Sequence, residues 1–223
     1  AMCFVRELLS IMPQIKKAVV FCGKGNNGAD GLAIARLLYQ KGITAHICCI
    51  KDLEKDAPQC SKEFLVQEEI CHAYDILRKT DLDENAEEEY DVVIDAIFGI
   101  GLSRNLSPFY CELIEKINRI KTVHVAVDIA SGIDADSGQI MGAAVKCDYT
   151  ITFSFEKLGQ FLWPGSDYSG KVICTTMGIT EESWLGQKPK TAYLEPSDIY
   201  NLPKRPDHSN KGTFGKLLVI AGS

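Results

Sequence analysis

The sequence predicts an α/β fold: a three-layer, doubly wound, mainly parallel sheet with helices on both faces. Three observations lead there. Short apolar runs alternate with stretches of helical periodicity along most of the chain. Several of those runs end in glycine or in small residues, as parallel strands do where they turn toward a helix. The chain has 223 residues, 46% of them apolar, enough for one large core-bearing domain or a domain with a piece of a second.

The elements follow in order. The opening AMCFVRELLS already reads as the middle of a helix, so a natural N-terminal extension is expected before it. Residues 17–22 form an apolar run bounded by Gly23, a buried strand. Residues 30–41 carry helical periodicity through Leu32, Ile34, Ala35, Leu37 and Leu38, and Gly42 suits the residue after the helix end. TAHICCI (44–50) is the next strand, and residues 59–74 are an amphipathic helix. The acidic run 81–90 reads as a solvated loop or helix face. YDVVIDAIFG (90–99) is a strand ending in a Gly-rich loop. The helix 107–120 has Ser107 as its cap and Pro108 as its first residue. TVHVAVDIASG (122–132) is a strand with a small-residue loop, and YTITF (149–153) and KVICTTMG (171–178) are two more. From about residue 179 the composition shifts to scattered prolines and charges, a linker covering 181–212. Residues 214–223 then read as a fresh strand.

Charge and cysteine usage exclude some functions. The net charge of −6 argues against non-specific binding to nucleic acid or to an anionic membrane surface. No apolar run is long enough to cross a bilayer. The nine cysteines are odd in number, lack any C-x-x-C pair and mostly lie in apolar runs. They read as thiols in a reducing compartment, which places the protein in the cytoplasm.

The chemistry concentrates just after the strands, where open parallel sheets bind their ligands. Those segments are GKGNNGAD (23–30), DAIFGIGLSRN (95–105), DIASGIDADSG (128–138) and FSFEKLGQ (153–160). Gly23-x-Gly25-x-x-Gly28 looks like a dinucleotide turn, and Asp52 stands near the spacing of a ribose-binding acid. Yet Asn26, Asn27 and Asp30 crowd the phosphate position, and no G-K-[ST] follows Gly28. Asp30 by itself reads as the N-cap or a first-turn acid of a helix. Asp95 or Asp128 alone would read as a cap or loop carboxylate. Two aspartates at equivalent strand ends beside an Asn-Asn loop point to a site. Lys157 is either a surface lysine or a contact for a phosphate or a proton. Arg104 is either solvated or a phosphate contact, and Asp134 and Asp136 read as turn residues.

GKGNNGADGLAIARLL, DAIFGIGLSR and VDIASGIDADSGQIMGAAVKCDYTITFSFEKLGQFLWPGSDYSGKV, in that order, closely resemble the YjeF amino-terminal domain family, the NAD(P)H-hydrate epimerases, whose fold is Rossmann-like. The resemblance spans most of residues 1–180. The tail HSNKGTFGKLLVIAGS resembles the opening of an ADP-dependent NAD(P)H-hydrate dehydratase domain, of ribokinase-like fold, so residues 213–223 would begin a truncated second domain without dehydratase activity. Three positions depart from the family pattern: Ala29 replaces a glycine, Ala130 a proline and Ile100 a threonine.

The resemblance implies an epimerase of nicotinamide-nucleotide repair, interconverting the R and S hydrates NADHX and NADPHX. It implies a potassium ion held by Asn27, Asp95 and Ser131, all oxygen donors suited to a hard cation. It implies a substrate site formed by Asn26, Asn27, Gly28, Ala29, Asp30, Gly99, Ile100, Gly101, Leu102, Ser103, Arg104, Asn105 and Asp128. Asp128 is the expected acid/base, with Lys157 as the second catalytic candidate, and a homodimer is the expected assembly. The hydrated carbon is a hemiaminal, so a positioned proton donor and acceptor is all the chemistry requires. Two rivals stand beside this reading. One is a non-catalytic binding or dimerisation module of the same fold; the other is an ordinary NAD-dependent dehydrogenase, against which the acid-bearing loop argues.

Overall fold

A computed structural model describes residues 1–50, 59–76, 90–187, 191–194, 206–210, 212–213 and 218. The chain divides into two compact units, Ala1–Ile179 and Thr180–Ser223. The expected acidic face at 81–90 and the expected strand at 214–223 fall almost wholly outside the described residues.

The first unit carries six strands: β1 (Lys17–Cys22), β2 (Thr44–Cys49), β3 (Val92–Ala96), β4 (Val123–Val127), β5 (Tyr149–Phe153) and β6 (Lys171–Thr175). Their order in the sheet is β2-β1-β3-β4-β5-β6, and every pairing is parallel. Among the described residues the helices are α1 (Met2–Ile11), α2 (Asn26–Gln40), α3 (Lys62–Ala73), α4 (Pro108–Arg119) and a single turn, α5 (Ser166–Ser169). Alternation along the strands sorts the core into two layers. Val20, Ile94 and Val125 face one way and pack with Phe4 and Leu8 of α1, Leu32 and Leu38 of α2 and Phe64 of α3. Val19, Phe21, Val93 and Ala126 face the other way, against Tyr110, Ile114 and Ile117 of α4. The sheet is thus covered on both faces, as a fully parallel sheet must be.

The expected elements are present, with shifted ends. The strands stop earlier than their apolar runs because the runs continue into buried loops: Ile97 and Ile129 are almost fully enclosed outside any strand. Helix α3 starts after Ser61, whose Oγ accepts from Phe64 N at 3.1 Å. Pro108 does open α4, but Ser107 makes no side-chain cap, and its Oγ is buried without a partner among the described residues.

The largest shift is in α2, which begins at Asn26 instead of residue 30. The apolar periodicity that marks a helix starts only at Leu32, while the first turn is chosen for close approach. A Cβ on Gly28 would lie 1.7 Å from the Gly23 carbonyl oxygen, and one on Gly23 would lie 2.0 Å from that of Ile97. Only glycine lets this turn pack so tightly on the ends of β1 and β3.

Candidate active site

Strand order reverses between β1 and β3. The chain leaves β1 toward β2 on one side and returns to β3 on the other. A crevice opens beyond the carboxyl ends of these strands, the place where doubly wound sheets bind ligands. Here it is a cavity of about 620 Å³. The entry to α2 forms one wall, with Lys24, Gly25, Asn26, Asn27 and Asp30. The loop after β3 forms another, from Ile97 to Arg104, and Asp128, Phe153, Tyr110 and Gln59 complete it.

Most residues expected at the substrate site are therefore brought together: Asn26, Asn27, Asp30, Gly99, Ile100, Gly101, Leu102, Ser103, Arg104 and Asp128. Gly28, Ala29 and Asn105 do not line the cavity. Gly28 is pressed on Gly23, Ala29 is only 5% exposed within the core, and Asn105 points to solvent. Asp30 is not at the helix cap; it lies one turn in, on the cavity side. The cap is Gly25, with extended backbone, and the first turn carries no acid. The amides of the helix start, which have no side-chain cap, and the cations Lys24 and Arg104 give this end of the cavity a character suited to anions.

A buried oxygen cluster lies behind that wall. Asp95 is the next-to-last residue of β3 and has no exposed surface. Its carboxylate accepts from Ser131 Oγ at 2.6 Å, from Ser131 N at 2.8 Å and from Ile97 N at 3.2 Å. Burial pushes its pKa up to about 6, while the Ser131 hydroxyl and the two amides pull the other way. No cationic side chain pairs with it among the described residues. Ser131 Oγ also accepts from Phe98 N at 2.9 Å, and Asn27 Nδ2 donates to the Phe98 carbonyl at 2.9 Å. Asn27 and Ser131 thus meet at the Phe98 backbone, and Ser131 joins that point to the Asp95 carboxylate, which has no cationic partner among the described residues; the side chains of all three carry an oxygen donor. That donor chemistry fits a hard monovalent cation.

A second cluster surrounds Asp128, which directly follows β4. Its backbone is left-handed, φ +71°, a region that aspartate and asparagine enter more readily than other residues with a side chain, still at some cost in energy. Its support is visible. Asp128 N donates to the Ile151 carbonyl of β5 at 2.9 Å, and Gln160 Nε2 donates to the Asp128 carbonyl at 2.7 Å. The side-chain Oδ1 accepts from Lys157 Nζ at 2.5 Å and from Thr152 Oγ1 at 3.1 Å, while Lys157 Nζ also donates to Thr152 Oγ1 at 2.6 Å. Oδ2 has no partner among the described residues. Lys157 is therefore no surface lysine: its side chain and that of Asp128 are each only 16% exposed. Asp134 is the turn residue it was expected to be, accepting from Ser137 N and Oγ, and those bonds lower its pKa.

Reading the sequence missed Thr152, Gln160, Lys24, Gln59, Phe153 and Tyr110. Thr152 had a signal, a hydroxyl at a fully enclosed position of a buried strand. Lys24 stands inside the glycine turn itself. Gln59 and Tyr110 carried none, since only the crossover connections bring them to the crevice.

Comparison with known proteins agrees with this architecture. Residues 1–159 match the family described as YjeF-related protein N-terminus. A protein of Limosilactobacillus fermentum named NAD(P)H-hydrate epimerase is 42% identical over 166 residues, covering 74% of this chain and 77% of that protein. One of Thermofilum pendens named bifunctional NAD(P)H-hydrate repair enzyme Nnr is 34% identical over 224 residues. That match covers 98% of this chain, which spans 41% of the length of that relative. A yeast protein known from its crystal structure superposes with a TM-score of 0.66 at 19% identity, over 88% of this chain and 85% of its own, a likeness of fold. On the family match and these identities, the chain belongs to the YjeF-related N-terminal family.

Proposed function

We propose that this chain is an NAD(P)H-hydrate epimerase, an isomerase that interconverts the R and S forms of NADHX and NADPHX. The observation that carries the reading is the Asp128–Lys157–Thr152 cluster, buried on one side and open through Asp128 to the cavity at the reversal of strand order. The names of the relatives point the same way.

The substrate's C6 carries a hydroxyl beside the ring nitrogen. Asp128 delivers a proton to that hydroxyl. The C6–O bond breaks as the nitrogen lone pair forms a C=N bond, and water leaves. Water returns on the opposite face and Asp128 recovers the proton. Opening and reclosing of the ring would need the same donor and acceptor. Lys157, hydrogen-bonded to Oδ1, orients the carboxyl so that Oδ2 carries the exchanging proton, and Thr152 holds both. With Oδ1 committed to these two neighbours, Oδ2 is the oxygen that faces chemistry. A carboxyl so placed contributes about 10²–10⁴-fold. Lys24, Arg104 and the start of α2 hold the diphosphate.

Asn27, Asp95 and Ser131 would hold a potassium ion, which would offset the buried carboxylate beside an anionic substrate. The assembly proposed is a homodimer. Phe155, Leu158, Phe161, Leu162 and Trp163 are each more than 40% exposed within nine residues, apolar surface that a second copy could cover.

Incubation with one purified hydrate epimer, followed by chromatographic separation of R and S, tests the activity. Interconversion no faster than the spontaneous reaction would leave the non-catalytic module of this fold as the reading.

A further inference from the structure

We propose that Gln160 is the positioning residue of the site: its carboxamide clamps the backbones of Asp128 and Lys157 together and so sets the geometry of the ion pair. This rests on the epimerase reading for its effect on turnover, though the clamp itself rests on geometry alone.

Gln160 is 2% exposed and lies outside the cavity wall. Its Nε2 donates to the Asp128 carbonyl at 2.7 Å, and its Oε1 accepts from Lys157 N at 2.8 Å. The amide can sit only this way round, since a carbonyl oxygen only accepts and a backbone N–H only donates. One planar group thus spans two segments 29 residues apart, and each end holds the backbone of a catalytic candidate. Nothing in the side-chain cluster needs Gln160 for charge or proton transfer. What it supplies is restraint. Asp128 has a left-handed backbone, and a residue so placed persists only where its surroundings hold it. The short turn that carries Gln160, Leu158–Gln160, is itself pinned: Gly159 N donates to the Ala135 carbonyl at 2.7 Å, and a Cβ there would lie 2.1 Å from the Asp134 carbonyl oxygen. The turn therefore has one seat, and the glutamine reaches inward from it. If the clamp is lost, the side chains keep their Thr152 bridge, but the backbones of Asp128 and Lys157 lose this link and their separation is less closely set. A displacement of about 1 Å at a reacting group costs on the order of 10²-fold in rate.

The test uses Gln160→Met, which keeps the volume and loses both bonds, and Gln160→Asn, which keeps the amide but is one methylene too short to span both partners. Rates are normalised to the folded fraction. The expected result is a kcat lower by about 10- to 100-fold, a KM near that of the unchanged chain, and an altered pH profile of kcat. Amide exchange at Lys157 N is expected to quicken in both variants. A native kcat and pH profile per folded molecule would reduce Gln160 to a structural residue and overturn the inference. If the unchanged chain proves inactive, the epimerase reading fails, and exchange at Lys157 N then decides the clamp. Native protection of that amide in Gln160→Met would refute it. Should Gln160→Met fail to fold, Gln160→Asn carries the same measurements.

Discussion

Asp128→Asn separates chemistry from structure, provided that the neighbouring charge is counted. Lys157 Nζ lies 2.5 Å from Asp128 Oδ1, and both side chains are 16% exposed. Asparagine keeps the size and accepts from Thr152, but it leaves an ammonium facing a neutral amide. Breaking one side of a fully buried pair costs about 3–5 kcal/mol; residual exposure screens part of this, leaving about 1–3 kcal/mol. The left-handed backbone at residue 128 works the other way, because asparagine tolerates that region well. At about 2–4 °C per kcal/mol for a domain of this size, the melting temperature should fall by about 2–12 °C. Turnover should fall by about 100-fold or more, because an amide cannot exchange a proton as a carboxyl does. Adding Lys157→Met removes the orphaned charge, so the double variant should regain much of the lost stability and none of the activity. The assay pairs calorimetry with chromatographic epimer ratios, the spontaneous rate subtracted. A near-native rate in Asp128→Asn would refute the acid/base role. A double variant no more stable than the single would refute the orphaned charge as the source of the loss.

Other consequences are equally open to measurement. Replacing potassium by tetramethylammonium at constant ionic strength should lower both the epimerisation rate and the melting temperature; a melting temperature indifferent to the cation would remove the ion from the Asn27–Asp95–Ser131 cluster. Ser131→Ala deprives the buried Asp95 carboxylate of its 2.6 Å donor and Phe98 N of its acceptor, and should cost about 1–3 kcal/mol in denaturant titration. Gly28→Ala forces a Cβ to 1.7 Å from the Gly23 carbonyl and should lower the melting temperature sharply, whereas Gly25→Ala and Gly101→Ala meet nothing within 4 Å and should fold almost normally. Burial holds the His124 imidazole below its ordinary pKa of 6.5. The unfolded chain then binds a proton that the folded chain refuses, so this residue's contribution to stability is intact above pH 6.5 and is lost as the pH falls below it. His124→Leu should flatten that part of the stability profile.

The alternation of elements and the strand ends where chemistry could gather are legible in the residue pattern. Val19 to Cys22 and Val92 to Ile94 read as strands buried on both faces, because no polar residue interrupts them, and Val123 to Val127 does so with a single polar residue, His124. Either Asp95 or Asp128 alone reads as a cap or loop carboxylate; the two together at equivalent strand ends, beside the Asn26–Asn27 pair, point to a site. Other features were decided by tertiary structure alone. Helix α2 starts at Asn26 because Gly28 fits against Gly23, a packing constraint that leaves no trace in apolar periodicity. Asp95 and Asp128 looked equivalent along the chain. In the fold, one is sealed among backbone amides and a serine, while the other is braced by a lysine and opens to the cavity. Neither Thr152 nor Gln160 could be tied to Asp128 from sequence, because their contact arises where β4 and β5 lie side by side and the loops beyond them fold back together. Local residue pattern records which groups lie along the sheet edge. Which of them face each other depends on strand order and loop packing, and those are properties of the assembled core.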